Sequence, residues 1–383
     1  MHPAADASAA IVEGLTRGSA SFLRAVHRDE DGLFPFSTRL IRGRYVNEFD
    51  HEHTLRYTIN TFLGLREAVQ AGEANEWSDF YPQQLQRFLD CHRRRIRNPA
   101  DLGLLALLLA GDDNCDATRE TADLLEGIVR RGRPERLVLQ DLCWMLWGAV
   151  ALAQADVPKA AKIAGAVFDI LDEHLVQPRT LLPRHSTARH RRDLVSFGGI
   201  VYFLRASFEY ARFANDARAW TLFERGVRAM LAIQGPDGEW PWLISVRSGR
   251  PLEFYPVFAV HQDSMAMLFL LPAADTGFRD VDEAIGRSLR WVEGANELGE
   301  RMYLEHPFLA YRSIRREQGL LKPRRYVRAL GNSIRGRAGS LAGPGNVTIN
   351  KECRSYHLGW ILYTWSGRQI GARPSALEAA GRT

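Results

Sequence analysis

Two kinds of helix alternate along this 383-residue chain, and the alternation leaves it few folds. Segments near 117–130 (ATRETADLLEGIVR), 217–233 and 280–293 space apolar residues three and four apart, with charges between them. Such a helix has one dry face and one wet face. Segments near 101–110 (DLGLLALLLA), 143–153 (CWMLWGAVALA), 198–208, 264–272 and 358–365 are apolar nearly all round. A helix without a polar face must be enclosed on every side. The amphipathic set is predicted at 8–27, 77–95, 116–131, 157–175, 216–233 and 279–296. The enclosed set is predicted at 53–67, 99–110, 138–153, 194–212, 260–273 and 353–366. The two sets interleave without exception. The fold they predict is all-α: an (α/α)6 barrel or toroid, with an inner ring of apolar helices and an outer ring of amphipathic ones. Few short hairpins are expected, near 175–185 and 242–258. An irregular all-α array or solenoid is the competing architecture.

Hydrophobic residues make up 46% of the chain, enough for one large core, and residues 1–383 are read as a single toroid domain. The largest insertion between enclosed helices is 297–352. It carries Arg312, Arg315, Arg316, Arg324, Arg325 and Arg328 and a glycine-rich tract from Gly331 to Gly345. An insertion of that length predicts a lid or binding loop over the open end of the barrel. The net charge of +5 suits an anionic small-molecule, glycan or lipid substrate. No nucleic acid and no cofactor is expected. Cys91, Cys115, Cys143 and Cys353 are scattered without a CxxC pair, which argues against a disulfide framework or a zinc site. No apolar run reaches membrane-spanning length, and the first residues lack the pattern of a secretory leader. A cytoplasmic protein is the expectation.

In such a barrel the N-termini of the inner helices meet at one end, where their dipoles and free N–H groups favour an anion. The residues heading those helices are the natural site candidates. The first is headed by Glu48, Asp50, His51, Glu52 and His53, with Arg56 and Tyr57 one turn in. Gln140 and Asp141 head the third, Asp193 and Ser196 the fourth, and His261, Gln262 and Asp263 the fifth. The last brings Glu352, Arg354, Tyr356 and His357. Capping alone explains any single one of these. Together they predict acid–base chemistry carried by Asp263 and His261, with His357 and Tyr57 as further proton carriers. Arg56 and Arg354 are expected to clamp a carboxylate or phosphate, with His53, Asp141 and Gln262 also lining the site. Trp240, Trp242 and Tyr255, with Phe254 and Phe258, are expected to supply a stacking face, although aromatic residues in helical proteins are commonly plain core. No metal is expected. His51 and His53 form an HxH pair without fixed geometry. The string from Asp112 to Asp116 matches a DDxxD magnesium motif but falls between an inner and an outer helix. Asp280, Asp282 and Glu283 open an outer helix, where they complement its dipole.

Arg225-Gly226, Met230 to Ile233, Gln234, Gly238 and Trp240 resemble the QW repeat of squalene–hopene-type cyclases. Similar turns are also familiar from glycan-processing (α/α)6 proteins. The resemblance covers one turn and implies the toroid more than an activity. The function expected is a carbohydrate-active enzyme acting on an acidic sugar or glycan, as hydrolase, lyase or epimerase. The alternatives are a terpenoid or prenyl cyclase-like enzyme and a non-catalytic toroid that binds a glycan or a protein.

Overall fold

Helices that lack a polar face end up inside. The computed structural model describes residues 3–111, 115–131, 133–188, 192–317 and 346–368. Among them the outer helices are α1 (Pro3–Val26), α3 (Phe80–His92), α5 (Cys115–Arg131), α7 (Ala160–Ile170), α9 (Ala217–Leu231) and α11 (Val281–Val292). The inner helices are α2 (Thr54–Gln70), α4 (Pro99–Leu109), α6 (Leu139–Gln154), α8 (Phe197–Ala214), α10 (Met267–Asp275) and α12 (Ser355–Trp365). Neighbouring inner helices pack in sequence from α2 to α10, and α12 returns to α2 to close the ring. Every inner helix overlaps its expected position, though the regular part of α10 begins at Met267 where a start at 260 was expected.

Two seams of the ring are glycine on glycine. A Cβ on Gly64 of α2 would stand 2.0 Å from the carbonyl oxygen of Gly359 on α12. One on Gly148 of α6 would stand 2.1 Å from the carbonyl oxygen of Gly103 on α4. Backbones this close leave no room for a side chain. Starts are set by short polar caps. Asn98 accepts from Ala100 N with Pro99 in the first turn of α4, Ser196 accepts from Gly199 N at α8, and Asp216 accepts from Arg218 N and Ala219 N at α9.

The turn after α9 ties two outer helices together. Gly238 is left-handed at φ 98°, and the Gln234 amide donates to Gly238 O, Ala284 O and Ser288 Oγ. The Trp240 indole N–H donates to the same Ser288 Oγ at 3.0 Å. Trp240 is fully buried between Phe197 and Phe269, so the expectation of a substrate-stacking ring is corrected: it is core.

Extended structure exceeds the expectation. Strands β1 (Ser37–Ile41) and β2 (Arg44–Glu48) make a hairpin that sequence patterning did not anticipate. Strands β3 (Leu194–Ser196), β4 (Leu243–Ser245) and β5 (Pro251–Glu253) form one small sheet. Strands β6 (Val257–Phe258), β9 (Ser313–Arg316) and β10 (Val347–Asn350) form another, and β7 (Tyr303–Glu305) pairs with β8 (Phe308–Ala310). The expected hairpin at 175–185 reduces to one bridge between Val176 and Pro183. Residues 318–345, with Arg324, Arg325, Arg328 and the glycine-rich tract, lie outside the described residues, as do Asp112, Asp113 and Asn114.

Candidate functional site

The fifth inner helix begins with a wide turn. His261–Met265 form one turn of π-helix leading into α10, where an ordinary first α-turn was expected. Such insertions are frequent at functional sites. All five residues are buried, because the segment is enclosed by the ring. Asp263 is 1% exposed and points at α12. The His357 ring nitrogen Nε2 stands 2.7 and 2.9 Å from its two carboxylate oxygens. The Ser264 hydroxyl donates to Asp263 Oδ1 at 2.8 Å, and the Trp365 indole donates to the Asp263 backbone oxygen. Both carboxylate oxygens are thus engaged by the protein. Where a carboxylate open to substrate was expected, Asp263 is instead taken up by His357 and Ser264. His261 packs its ring on Phe197 and Phe258, at 4.7 and 5.0 Å. Burial, helped by the nearby His357, pushes its pKa down to about 3, so it is a neutral imidazole. Gln262 is fully buried and donates to Phe258 O, which makes it a structural residue of the turn and not a lining one.

Across the ring, Arg56 reaches from α2 to the head of α4. It forms an ion pair with Asp101 (Nε to Oδ1, 2.5 Å), donates to Asn98 Oδ1, and lies 5.4 Å from the Trp144 ring centre. Asp141, in the first turn of α6, is pushed above the usual carboxylate range, mainly by burial, with Arg56 opposing. Trp144 meets Tyr202 of α8 edge-on at 4.8 Å, and Tyr202 reaches Met265 Sδ. Tyr57 of α2 lies 4.4 Å from Tyr356 of α12. Burial raises the pKa of both phenols. All six inner helices therefore contribute to one continuous cluster.

The rim is aromatic and basic. Phe36 stacks on His51 at 3.3 Å and on Tyr57 at 5.0 Å, and the Arg354 guanidinium lies 3.7 Å from the Phe36 ring centre. Arg354 is 6% exposed and pairs with Glu352 at 2.6 Å, so it holds the rim together and is not the free clamp expected. Arg312 lies 3.3 Å from Glu352 with 31% of its side chain exposed. His53 is half-buried beside Tyr57, and burial together with Arg56 lowers its pKa. His51 Nδ1 accepts from His53 N, which uses the HxH pair in the turn itself. Trp242 packs on Leu194, Leu243 and Leu252 of the small sheet. Tyr255 lies 4.8 Å from the Arg316 guanidinium. Of the aromatic run, Phe258 is the residue that touches His261.

Sequence reasoning passed over Asp101, Trp144, Tyr202 and Phe36. Asp101 had a legible signal, two residues after the Asn98-Pro99 cap. The aromatic residues had none, since each sits in an apolar run that reads as core.

No protein-family model and no curated protein matches the chain. Solved structures do. An unsaturated glucuronyl hydrolase from Bacillus sp. GL1, responsible for degradation of glycosaminoglycan, is similar at 15% identity and TM-score 0.54, over 95% of this chain and 99% of that one. A cellobiose 2-epimerase from Bacillus thermoamylovorans B4167 is similar at 12% and 0.60, over 90% and 94%. An α-1,6-mannanase of Salegentibacter sp. HEL1_6 is similar at 11% and 0.58, over 93% and 98%. The likeness is one of fold: the chain is an (α/α)6 toroid. The resemblance of the 225–240 turn to terpenoid cyclases gains nothing from these structures.

Proposed function

We propose that the protein is a glycan-processing enzyme, a hydrolase, lyase or epimerase, working by proton transfer at the N-terminal ends of the inner helices. The observation that carries this reading is the gathering of unlike proton carriers in one cluster. Asp141 is a carboxyl biased toward its protonated form. Asp101 is a carboxylate paired with Arg56. His357 is an imidazole held by a buried carboxylate. Acid and base roles fall to groups whose environments differ in this way. Asp141 is the proton donor in this reading. His357, its Nε2–H directed at Asp263, accepts through Nδ1, and Tyr57 and Tyr356 flank the sugar. Arg312, partly exposed beside Glu352, favours a sugar bearing a carboxylate. The glycan enzymes that share the fold support the substrate class.

The test is incubation with acidic and neutral oligosaccharides, analysed by mass and ultraviolet absorbance. Uptake of one water marks a hydrolase, a new C=C absorbance a lyase, and an isomer of equal mass an epimerase. Asp141→Asn and His357→Asn should each lower turnover by roughly two to four orders of magnitude. Folded protein that transforms no glycan, or variants as active as the parent, would end this reading.

A further inference from the structure

The β1–β2 hairpin carries apolar surface on its wet side. Its register, from Ser37↔Glu48 to Ile41↔Arg44, fixes which side chains share a face. Leu40 and Tyr45 pair and face the protein. Tyr45 Oη donates to Phe308 O at 2.9 Å, and its ring meets Phe22 edge-on at 4.9 Å. The opposite face holds the cross-strand pairs Arg39–Val46 and Ile41–Arg44, and at the end away from the tip Ser37–Glu48, where the Ser37 hydroxyl donates to the Glu48 carboxylate at 2.8 Å. Ile41 and Val46 are 50% and 51% exposed, and they are the large hydrophobic residues that stand exposed among the described residues. Arg42 and Gly43 form the tip, both left-handed at φ 50° and 75°, the two-residue turn that suits a twisted hairpin. No described acidic side chain pairs with Arg39, Arg42 or Arg44. An exposed strand face ordinarily carries polar residues, and cations alone suffice to protect an edge. The two aliphatic residues are therefore unexplained by solubility.

Cations and aliphatic side chains alternating on one exposed face match a partner with negative charge above and hydrocarbon below. A polyanionic sugar would satisfy the arginines and leave Ile41 and Val46 wet. We propose that this hairpin docks the protein on an anionic phospholipid membrane, with the guanidiniums on headgroup phosphates and Ile41 and Val46 dipping between them. The patch continues into a groove of about 470 Å³ between the hairpin and β7–β8, lined by Leu40, Ile41, Leu304 and Leu309 with Arg39, Lys351 and Glu352, the last paired with Arg354. Thr38 bridges to Cys353, next to Arg354 of the rim, so docking sets the mouth of the cluster beside the lipid surface.

The experiment is cosedimentation of the full chain with phosphatidylcholine vesicles, with and without phosphatidylglycerol. Binding is expected with phosphatidylglycerol and absent without it. R39Q/R42Q/R44Q should weaken it about a hundredfold, near fivefold per arginine. I41S/V46S should weaken it as well, at unchanged charge. Both variants alter exposed positions and should melt as the parent does. Failure to bind anionic vesicles overturns the proposal. So does I41S/V46S binding like the parent with an acidic oligosaccharide competing, which would make the patch a polyanion site. Neither result depends on whether the protein turns over a glycan.

Discussion

Asp263 and His261 sit two residues apart on the same turn and carry opposite demands. Asp263 is buried with its charge answered by His357 and Ser264. His261 is buried with no charge partner, and its Nδ1 has no hydrogen-bond partner among the described residues. Replacing Asp263 by Asn keeps the shape but directs an amide where His357 needs an acceptor. Turnover should fall by roughly two to four orders of magnitude, and the melting temperature should drop, because a buried pair is broken. Normal melting with normal turnover would make the pair ornamental. The pH response of His261 follows from its folded pKa of about 3, well below the ordinary 6.5. Above the unfolded value both states are neutral and nothing is lost. As pH falls from about 6.5 toward 3, the unfolded chain takes up a proton that the folded one refuses, and stability declines. Denaturant titrations at stepped pH should show this decline, and His261→Gln should flatten it. A third expectation concerns Asp141. If it donates a proton, activity should persist above the usual carboxylate range and then fall as pH rises, a limb that Asp141→Asn removes.

At the scale of elements, the glycine seams bring pairs of inner helices to backbone contact. Gly148→Ala would drive a methyl group against the carbonyl of Gly103, an obstacle that cannot swing aside. Calorimetry should show a loss of about 3 kcal/mol or more. A methyl group added to Gly14, on α1, would meet nothing within 4 Å, so Gly14→Ala should instead stabilise by about 0.5–1 kcal/mol. The two substitutions are chemically identical, and only packing separates them. The same contrast explains what was legible in the sequence. Inner helices such as α4, DLGLLALLL, announce themselves because an apolar helix has no surface position to occupy. The heads of those helices were legible as a list, and His357 does meet Asp263. Their roles were not, because two residues of separation cannot reveal a π-turn that buries both side chains. Hairpin β1–β2 was missed because its alternation of Arg39, Leu40, Ile41 and Tyr45, Val46 is short and its exposed face mixes arginines with aliphatic residues. Trp240 was misread because a tryptophan locked to Ser288 and one awaiting a sugar look alike in a string of letters.

For the whole molecule, ring closure is the governing event. The last described helix, α12, supplies Trp360 and Trp365 to the core and packs against α2, about three hundred residues earlier. A chain stopped after residue 350 lacks that wall. It should show no cooperative thermal transition and should bind a hydrophobic dye, whereas a sharp transition would mean the ring can stay open. The position of His357 on that closing helix has a consequence in time. Synthesis runs from the N-terminus, so Asp263 leaves the ribosome ninety-four residues ahead of its imidazole. Until then the chain carries an acidic group with no answering ring. A nascent or truncated copy that lacks α12 therefore lacks the Asp263–His357 pair, which is completed only when that helix is made.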